Sequence, residues 1–267
     1  MVLASQREDS ERSPRLDGAE IAVAWHDLEC GHYRADLPLW RELAGSAETG
    51  VADPILDVGA GTGRVALDLA RAGHQVSALE LDARLLDALR ERAAGMSVQA
   101  LGGDARELEL SRRDFGLCVV PMQTIQLLGG AADRAAFLKR ARAHLRPGGL
   151  LACAIVVELE PFDCAAGDAG PSPETARKDG TLFLSRATRV RVSRRSIRIE
   201  RERVLVAPGR PLESTSPAGE RNVVELDRVS TKQLEREGIA AGLTPEPART
   251  IESTDDHVGS VVVMLRA

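Results

Sequence analysis

Gly59, Gly61 and Gly63 stand at alternate positions directly after a short apolar run that contains one carboxylate, Asp57. Glycine is the residue type used where the backbone takes a positive φ or must approach a ligand closely. The residues after Gly63 have the pattern of a helix, whose first N–H groups are unpaired and carry the positive end of the helix dipole. The stretch therefore predicts a strand, a loop and a helix that bind a nucleotide-like ligand at the carboxyl edge of a parallel sheet.

The spacing of these glycines narrows the class of ligand. A dinucleotide fingerprint, G-x-G-x-x-G, needs its third glycine at the position that Arg64 occupies. A Walker loop needs a Gly-Lys-Ser/Thr sequence, which does not follow here. The spacing therefore disfavours NAD and FAD, and it argues against a nucleoside triphosphate.

With Asp57 in front, the sequence D-V-G-A-G-T-G resembles motif I of the class I S-adenosylmethionine-dependent methyltransferases. Three later segments resemble further motifs of that family. Glu80 ends the second predicted strand, residues 103–105 read G-D-A, and residues 145–149 read L-R-P-G-G before the fifth predicted strand. The four motifs follow one another in the family's order over residues 53–157.

This resemblance implies that the cofactor is S-adenosylmethionine and that the helix start meets its amino-acid carboxylate. It implies that Glu80 binds both ribose hydroxyls, because one carboxylate can accept from two neighbouring donors. Asp104 would accept a hydrogen bond from the adenine amine. The implied cofactor-binding residues are Asp57, Gly59, Ala60, Gly61, Gly63, Glu80, Leu81, Asp104, Ala105, Pro121 and Gln123.

Apolar, strand-like runs alternate with helix-like segments between residues 55 and 157. This alternation is typical of parallel strands joined by right-handed helical crossovers. The family's sheet adds a sixth strand that runs parallel and a seventh that runs antiparallel, and residues 247–251 and 260–265 fit these positions. We therefore expect an α/β fold with a doubly wound, mostly parallel seven-stranded sheet (a Rossmann-like methyltransferase fold) and an antiparallel β insertion after the fifth strand.

The chain divides into five predicted regions. They are a disordered tail (1–18), an N-terminal helical lid (19–52), the cofactor-binding core (53–157), a β-rich insertion (158–230), and the last helix with the final two core strands (231–267).

Within the insertion, residues 161–180 are rich in Pro, Gly, Ala and Asp and predict a loop. Residues 181–206 alternate and predict an antiparallel hairpin, in which the even-numbered apolar residues from Leu182 to Val192 share one face. Further along, Thr231 is the predicted N-cap of the last helix.

The lid resembles the start of small-molecule bacterial methyltransferases of this class at residues 27–29, Tyr33 and residues 36–40. In those proteins this segment covers the cofactor, and an aromatic residue often lies near the sulfonium. Tyr33, the chain's only tyrosine, is the candidate, because a cation beside an aromatic face is favourable. Ordinary helix packing is the alternative for Tyr33.

His257 lies between the last two predicted strands, in a turn that emerges at the carboxyl edge. It is a candidate general base or substrate ligand, with an ordinary surface histidine as the alternative. Gln123 and Gln126 follow the fourth strand, where the methyl acceptor meets the cofactor in this family. They could bind cofactor or substrate, or they could simply pack at a helix start.

Arginines are concentrated in the predicted hairpin, at positions 186, 189, 191, 194, 195, 198, 201 and 203. An RNA-binding face is conceivable. However, Glu200 and Glu202 interrupt the cluster, and no aromatic residues stand beside it to stack on bases. A solvated face, or a homodimer contact through the β insertion, is the alternative reading.

Composition and charge limit the remaining choices. The chain has 267 residues, of which 43% are hydrophobic and 28% charged, as in folded globular proteins. The net charge of −5 gives no reason to expect a nucleic-acid partner. The four cysteines lack metal-site spacing, so we expect a reducing cytoplasm and no metal. We find no signal-type apolar core and no membrane-spanning stretch.

The sequence therefore predicts an S-adenosylmethionine-dependent methyltransferase that moves a methyl group to an O or N atom of a small molecule by in-line displacement. One alternative is a non-catalytic S-adenosylmethionine-binding scaffold or regulatory protein. Another is an RNA methyltransferase that uses the arginine-rich hairpin. The absence of a [DNS]-P-P-[YF] sequence after the fourth strand counts against a nucleobase amine as acceptor.

Overall fold

The computed structural model describes residues 16–45, 53–209, 219–254 and 257–267. Nearly all of the tail predicted at 1–18, and parts of the predicted lid (19–52) and of the predicted β-rich insertion (158–230), lie outside these ranges. The α-helices are α1 (Gly18–His26), α2 (Leu37–Gly45), α3 (Arg64–Arg71), α4 (Ala83–Arg92), α5 (Ala131–His144) and α6 (Thr231–Ala240). None of them is long and apolar enough to cross a lipid bilayer.

Two sheets account for the strands of the described ranges. The strands are β1 (Ile55–Val58), β2 (Val76–Glu80), β3 (Val98–Gly102), β4 (Phe115–Val120), β5 (Leu145–Ile155), β6 (Phe162–Asp163), β7 (Glu174–Lys178), β8 (Thr181–Val192), β9 (Ser196–Val206), β10 (Glu220–Asp227), β11 (Thr244–Ile251) and β12 (Ser260–Arg266).

The first sheet has the order β11-β12-β5-β4-β1-β2-β3, in which only β12 runs antiparallel to its neighbours. Its central strands are buried along their whole length, because helices cover both faces. The predicted seven-stranded Rossmann-like sheet is thus confirmed. The chain order reverses between β1 and β4, and ligands of such sheets bind at that reversal, outside the carboxyl ends of the strands.

The second sheet consists of β6 to β10 and follows β5, so the predicted antiparallel insertion is confirmed. The loop predicted at 161–180 is wrong in part. Strands β6 and β7 both pair with the same edge of β8, although their sequences carry little apolar character. A free strand edge supplies backbone partners whatever the side chains are, and composition does not reveal this pairing.

The prediction of which side chains share the buried face of the hairpin is also wrong for the first half of β8. Phe183 and Ser185 are the fully buried residues there, whereas Leu182 and Leu184 are only partly buried. A register shift between Ala187 and Arg189 exchanges odd and even positions along β8. One added residue reverses the faces of every residue beyond it, because side chains alternate along a strand.

The last helix begins one residue earlier than predicted. Ser230, not Thr231, is its N-cap, and the Ser230 hydroxyl accepts a hydrogen bond from the Gln233 amide. Both residues are good N-caps, so the sequence does not distinguish them. Asp82 is the N-cap of α4, and its side chain accepts a hydrogen bond from the Arg84 amide.

The second sheet is attached to the first through two buried polar side chains. Gln126 is 1% exposed and exchanges hydrogen bonds with both backbone groups of Val156, and its amide also donates to the Asp227 carbonyl. Arg134 of α5 is buried between the carboxylates of Asp227 and Glu237. These hydrogen bonds give Gln126 a structural role, which favours the packing alternative over a role in binding cofactor or substrate.

Replacing Arg134 by Met should lower the free energy of unfolding by about 3 kcal/mol, because two carboxylates are left without their partner in a largely buried setting. Arg140→Met in the same helix breaks only an exposed pair with Glu109 and should cost less than about 1 kcal/mol. Urea unfolding of both variants measures the difference. Equal losses in the two variants would contradict this account of how the second sheet is anchored.

Candidate functional site

The glycine loop lies at the carboxyl end of β1 and is held against β2. The amides of Gly59 and Ala60 both donate to the Leu79 carbonyl, at 2.9 and 3.0 Å. Gly59 and Gly61 have φ values of 72° and 58°, which other residues rarely adopt. A Cβ at Gly59 would lie 2.5 Å from Thr124, so the loop and the segment after β4 meet closely here.

Glu80, at the end of β2, holds this loop and the start of α4 together. One carboxylate oxygen accepts from the Gly61 amide at 2.8 Å. The other accepts from the amides of Leu81 and Asp82, at 2.9 and 2.8 Å. The first oxygen thus keeps a lone pair for a ligand hydroxyl, since a carboxylate offers about four acceptor sites.

Residues after β2 and β3 border the same end of the loop. Gly103 donates its amide to the Glu80 carbonyl, so the residues that follow the two strands lie side by side. Asp104 caps a short 3-10 turn and pairs with Arg106, which lowers the pKa of its carboxyl. Leu81 is 67% exposed although it is a large apolar side chain, and Ala105 is buried. An apolar rim beside carboxylates suits a nucleoside base.

Asp57 is fully buried in β1, and neither of its carboxylate oxygens forms a well-aligned hydrogen bond among the described residues, although the Ala66 amide lies near enough to lower the pKa. Burial raises the pKa of Asp57 to about 7, against the opposing charge of Arg64. A buried polar group without a partner is costly, and native proteins keep such groups mainly where a ligand or water completes them. The carboxylate of Asp57 therefore fits a cationic ligand group such as an ammonium.

The segment after β4 contains a strained residue. Pro121 is buried, and Met122 has a φ of 53° although it is not a glycine. Such backbone strain is concentrated at functional sites. Gln123 follows in a partly exposed position, where it precedes a short 3-10 turn (Thr124–Leu127). The pair Pro121 and Gln123 thus flanks the point where the chain order of the sheet reverses.

Tyr33 and His257 are brought together, although 224 positions separate them in the sequence. Their ring centroids are 4.9 Å apart with an interplanar angle of 36°. Tyr33 is 5% exposed, burial raises the pKa of its phenol, and its hydroxyl has no partner among the described residues. The two candidate catalytic residues therefore share one place at the carboxyl edge.

The lid covers the glycine loop through its π-helical turn (Asp27–Gly31) and the end of α1. The Thr62 hydroxyl donates to Asp27 at 2.7 Å, and Arg92 of α4 pairs with the same carboxylate. The His26 imidazole lies so close to Gly61 that any Cβ there would overlap it. Burial lowers the pKa of His26, which favours the neutral ring.

Sequence reasoning missed the role of Arg64, which it treated only as the position of an absent glycine. Its guanidinium lies 5.3 Å from the centroid of the Tyr33 ring and forms a bidentate pair with Asp36. The strain at Met122 was also missed. Neither feature has a local sequence signal, because each depends on what another segment places nearby.

The arginine-rich hairpin is largely neutralised by its own surroundings. Most of its arginines lie within 4 Å of a carboxylate: Arg186 with Glu202, Arg189 with Asp163 and Glu200, Arg198 with Glu200 and Glu225, Arg201 with Glu174, and Arg203 with Glu29. A nucleic-acid face needs cations that are free to pair with phosphates. These ion pairs weigh against such a face.

Comparison with known proteins agrees with the sequence motifs. Residues 55–149 match a family model described as a methyltransferase domain. A cypemycin N-terminal methyltransferase from a Streptomyces species is 33% identical over 117 residues, which are 43% of this chain and 46% of that protein. A ribosomal RNA small subunit methyltransferase A from Moorella thermoacetica is 32% identical over 87 residues, 32% of this chain and 30% of that protein. The matches span less than half the length of each of these relatives.

The fold is that of solved methyltransferases. CalS10 from Micromonospora echinaspora, an amino pentose methyltransferase solved with S-adenosylmethionine bound, superposes with a TM-score of 0.64. The alignment covers 95% of this chain and 99% of that one at 20% identity. This similarity includes the second sheet as well as the core.

Replacing Asp57 by Asn should stabilise the ligand-free protein more at pH 8 than at pH 5. The folded state, with a pKa of about 7, keeps a proton that an unfolded aspartate with a pKa near 3.8 has lost. Stability therefore falls as pH rises from about 4 to 7, and Asn removes this loss. Thermal unfolding should show a gain of about 3 °C or more at pH 8. An identical gain at both pH values, or in exposed Asp87→Asn, would contradict the assignment.

Glu80→Gln should weaken S-adenosylhomocysteine binding by roughly 10- to 100-fold, since hydrogen bonds to a charged group contribute about 1.5–3 kcal/mol each. Gln keeps one oxygen for the backbone amides but loses the bidentate carboxylate. Titration calorimetry measures the affinity, with exposed Glu91→Gln in α4 as the matched control. Unchanged affinity in Glu80→Gln would remove Glu80 from the cofactor site.

Proposed function

We propose that this chain is a class I S-adenosylmethionine-dependent methyltransferase and that it transfers a methyl group to an oxygen or nitrogen atom of a small molecule; the domain match and the fold support this. The observation that carries the proposal is the pairing of Tyr33 with His257 at the carboxyl edge. The cradle formed by the glycine loop, Glu80 and Asp57 lies at the same edge. This shared location supports a binding end and a reactive end at one edge of the sheet.

The residues present fit the cofactor. The glycines let the loop take its left-handed turns close to Thr124 and His26, Glu80 keeps acceptor capacity for hydroxyls, and the unpartnered carboxylate of Asp57 suits an ammonium group. The exposed apolar side chain of Leu81, together with Asp104, would hold the adenine. S-adenosylmethionine supplies a methyl carbon made electrophilic by its bond to a sulfonium.

The chain's contribution to the reaction is mainly positioning and the exclusion of water. An in-line displacement needs the acceptor atom aligned behind the methyl carbon, and holding both partners in that geometry supplies much of the rate. Tyr33 offers a buried hydroxyl that can donate to or accept from the acceptor atom. His257, against the Tyr33 ring, takes the proton of an acceptor that arrives protonated.

A small polar molecule fits the surroundings of this reactive end better than a polynucleotide. The lid that carries Tyr33 packs against the second sheet, through the contact of Trp25 with Phe183 and the pairing of Glu29 with Arg203. An amino sugar is the acceptor class that the fold neighbour suggests, and a peptide amine is the class that the curated relative suggests.

RNA methylation is the second candidate, because a ribosomal RNA methyltransferase is among the relatives. The paired arginines of the second sheet weigh against it. Binding of a structured RNA that weakens steeply with salt concentration would favour this candidate over a small-molecule acceptor.

With an acceptor identified by screening amines and alcohols against labelled methyl donor, His257→Ala should lower kcat by about 100-fold, the usual contribution of a general base. Affinity for S-adenosylhomocysteine should stay within about threefold. Added imidazole should restore part of the rate, because it replaces a proton acceptor but not a packed ring. His32→Ala, an exposed histidine of the lid, is the control.

Two outcomes would refute parts of this proposal. Unchanged turnover in His257→Ala would leave His257 as a packing partner of Tyr33. Tight binding of S-adenosylhomocysteine with no transfer to any screened acceptor, protein or RNA would instead favour a non-catalytic binding protein.

A further inference from the structure

We propose that Arg64 is a positioning residue, which fixes the Tyr33 ring so that the phenol hydroxyl is presented to the reactive end of the site. This proposal rests on the function proposed above for Tyr33. Arg64 is the first residue of α3, directly after the glycine loop, and its side chain contacts residues of the lid.

Arg64 contacts Tyr33 at two points. Its Nη1 donates to the Tyr33 carbonyl oxygen at 3.0 Å, which fixes the backbone. Its guanidinium carbon lies 5.3 Å from the ring centroid and over the ring, which fixes the side chain. Few interactions hold both the backbone and the ring of one residue, and together they leave Tyr33 little freedom to rotate.

Asp36 keeps the guanidinium of Arg64 in place. Its two carboxylate oxygens accept from Nη1 and Nη2 of Arg64, at 2.5 and 2.7 Å, and it also accepts from the Trp40 indole at 2.8 Å. Asp36 is 1% exposed, and the Arg64 side chain is 7% exposed. A buried bidentate pair with a further hydrogen bond has one favourable geometry. The position of the guanidinium over the Tyr33 ring is therefore fixed.

The Tyr33 ring is covered by contacts with other residues of the protein. Arg64 packs over it, and the His257 ring packs against it. A contact between the ring face and the cofactor's sulfonium, the arrangement expected from the sequence, therefore competes with groups already present. The hydroxyl is the part of Tyr33 left for a ligand, and it is buried and without a partner among the described residues.

Arginine is needed for this arrangement because its planar fork makes two parallel hydrogen bonds to one carboxylate while its face stacks on a ring. Lysine keeps the positive charge but does neither. Arg64→Lys therefore separates geometry from charge. Arg41 provides the matched control, because it also joins α2 to α3, through an exposed pair with Asp68, and it is not among the contacts of Tyr33.

The connection also has a consequence for ligand binding. Arg64 directly follows Gly63, so the residue that grips Tyr33 belongs to the first turn of α3, beside the cofactor loop. We therefore expect a shift of the loop on cofactor binding to reach the Tyr33 ring through the Arg64 side chain.

The experiment uses the fact that Tyr33 is the only tyrosine of the chain, so that ring-labelled [13C]tyrosine gives the NMR signals of this residue alone. Spectra are recorded for wild type, Arg64→Lys and Arg41→Lys, with and without S-adenosylhomocysteine, and the affinity is measured by calorimetry. We expect the Tyr33 signals of Arg64→Lys to shift and to lose their contact with His257. The change induced by S-adenosylhomocysteine should fall by at least half, while its affinity stays within threefold of wild type. Arg41→Lys should match wild type.

Three results would overturn the proposal. Tyr33 signals in Arg64→Lys that coincide with those of wild type would show that Arg64 does not hold the ring. A tenfold or greater loss of affinity would make Arg64 a support of the cofactor loop. If the Tyr33 signals of wild type do not change when S-adenosylhomocysteine binds, Tyr33 does not belong to the site and the function proposed for it fails. The comparison of ligand-free wild type with ligand-free Arg64→Lys would still test whether Arg64 holds the Tyr33 ring. If Arg64→Lys does not fold, Asp36→Asn serves in its place and should give the same spectral change.

Discussion

The candidate site depends on one carboxylate that three backbone amides hold in place. Glu80 accepts from Gly61, Leu81 and Asp82, and so it joins the glycine loop to the end of β2 and the start of α4. Hydrogen bonds from amides to an ionised group are strong, and this set fixes two loops with a single side chain. The spacing between the loop and the rim at Leu81 follows from this, as does the space available for a nucleoside.

The same edge of the sheet contains a group that the fold does not satisfy. Asp57 is buried next to the loop with both oxygens unpartnered, and burial raises its pKa to about 7. Packing alone favours an amide or an apolar residue at that point of β1. The buried carboxylate therefore destabilises the ligand-free protein, and a cationic ligand group would offset this destabilisation on binding.

The part of the site formed by local sequence was predictable, and the part formed by pairing was not. The glycines, Glu80 and Asp104 follow directly from strand ends, because parallel strands bring those ends to one edge. The contacts between Arg64 and Tyr33 depend on how the lid crosses α3. The spacing of residues in the sequence does not predict that crossing. The facing of β8 was mispredicted for a related reason, since the register shift after Ala187 is set by pairing with β9.

The π-helical turn shows why the lid and the second sheet have to be considered together. A π turn brings an extra residue into a helix, and such turns are frequent at functional sites. Here Asp27 contacts Thr62 and Arg92 on the core side, whereas Glu29, two residues on, pairs with Arg203 and accepts from Ser185 on the second sheet. The five residues of this turn thus bridge the glycine loop and the second sheet. Because both carboxylates are on one short turn, the lid cannot leave the loop as a rigid unit without also breaking its contact with the second sheet.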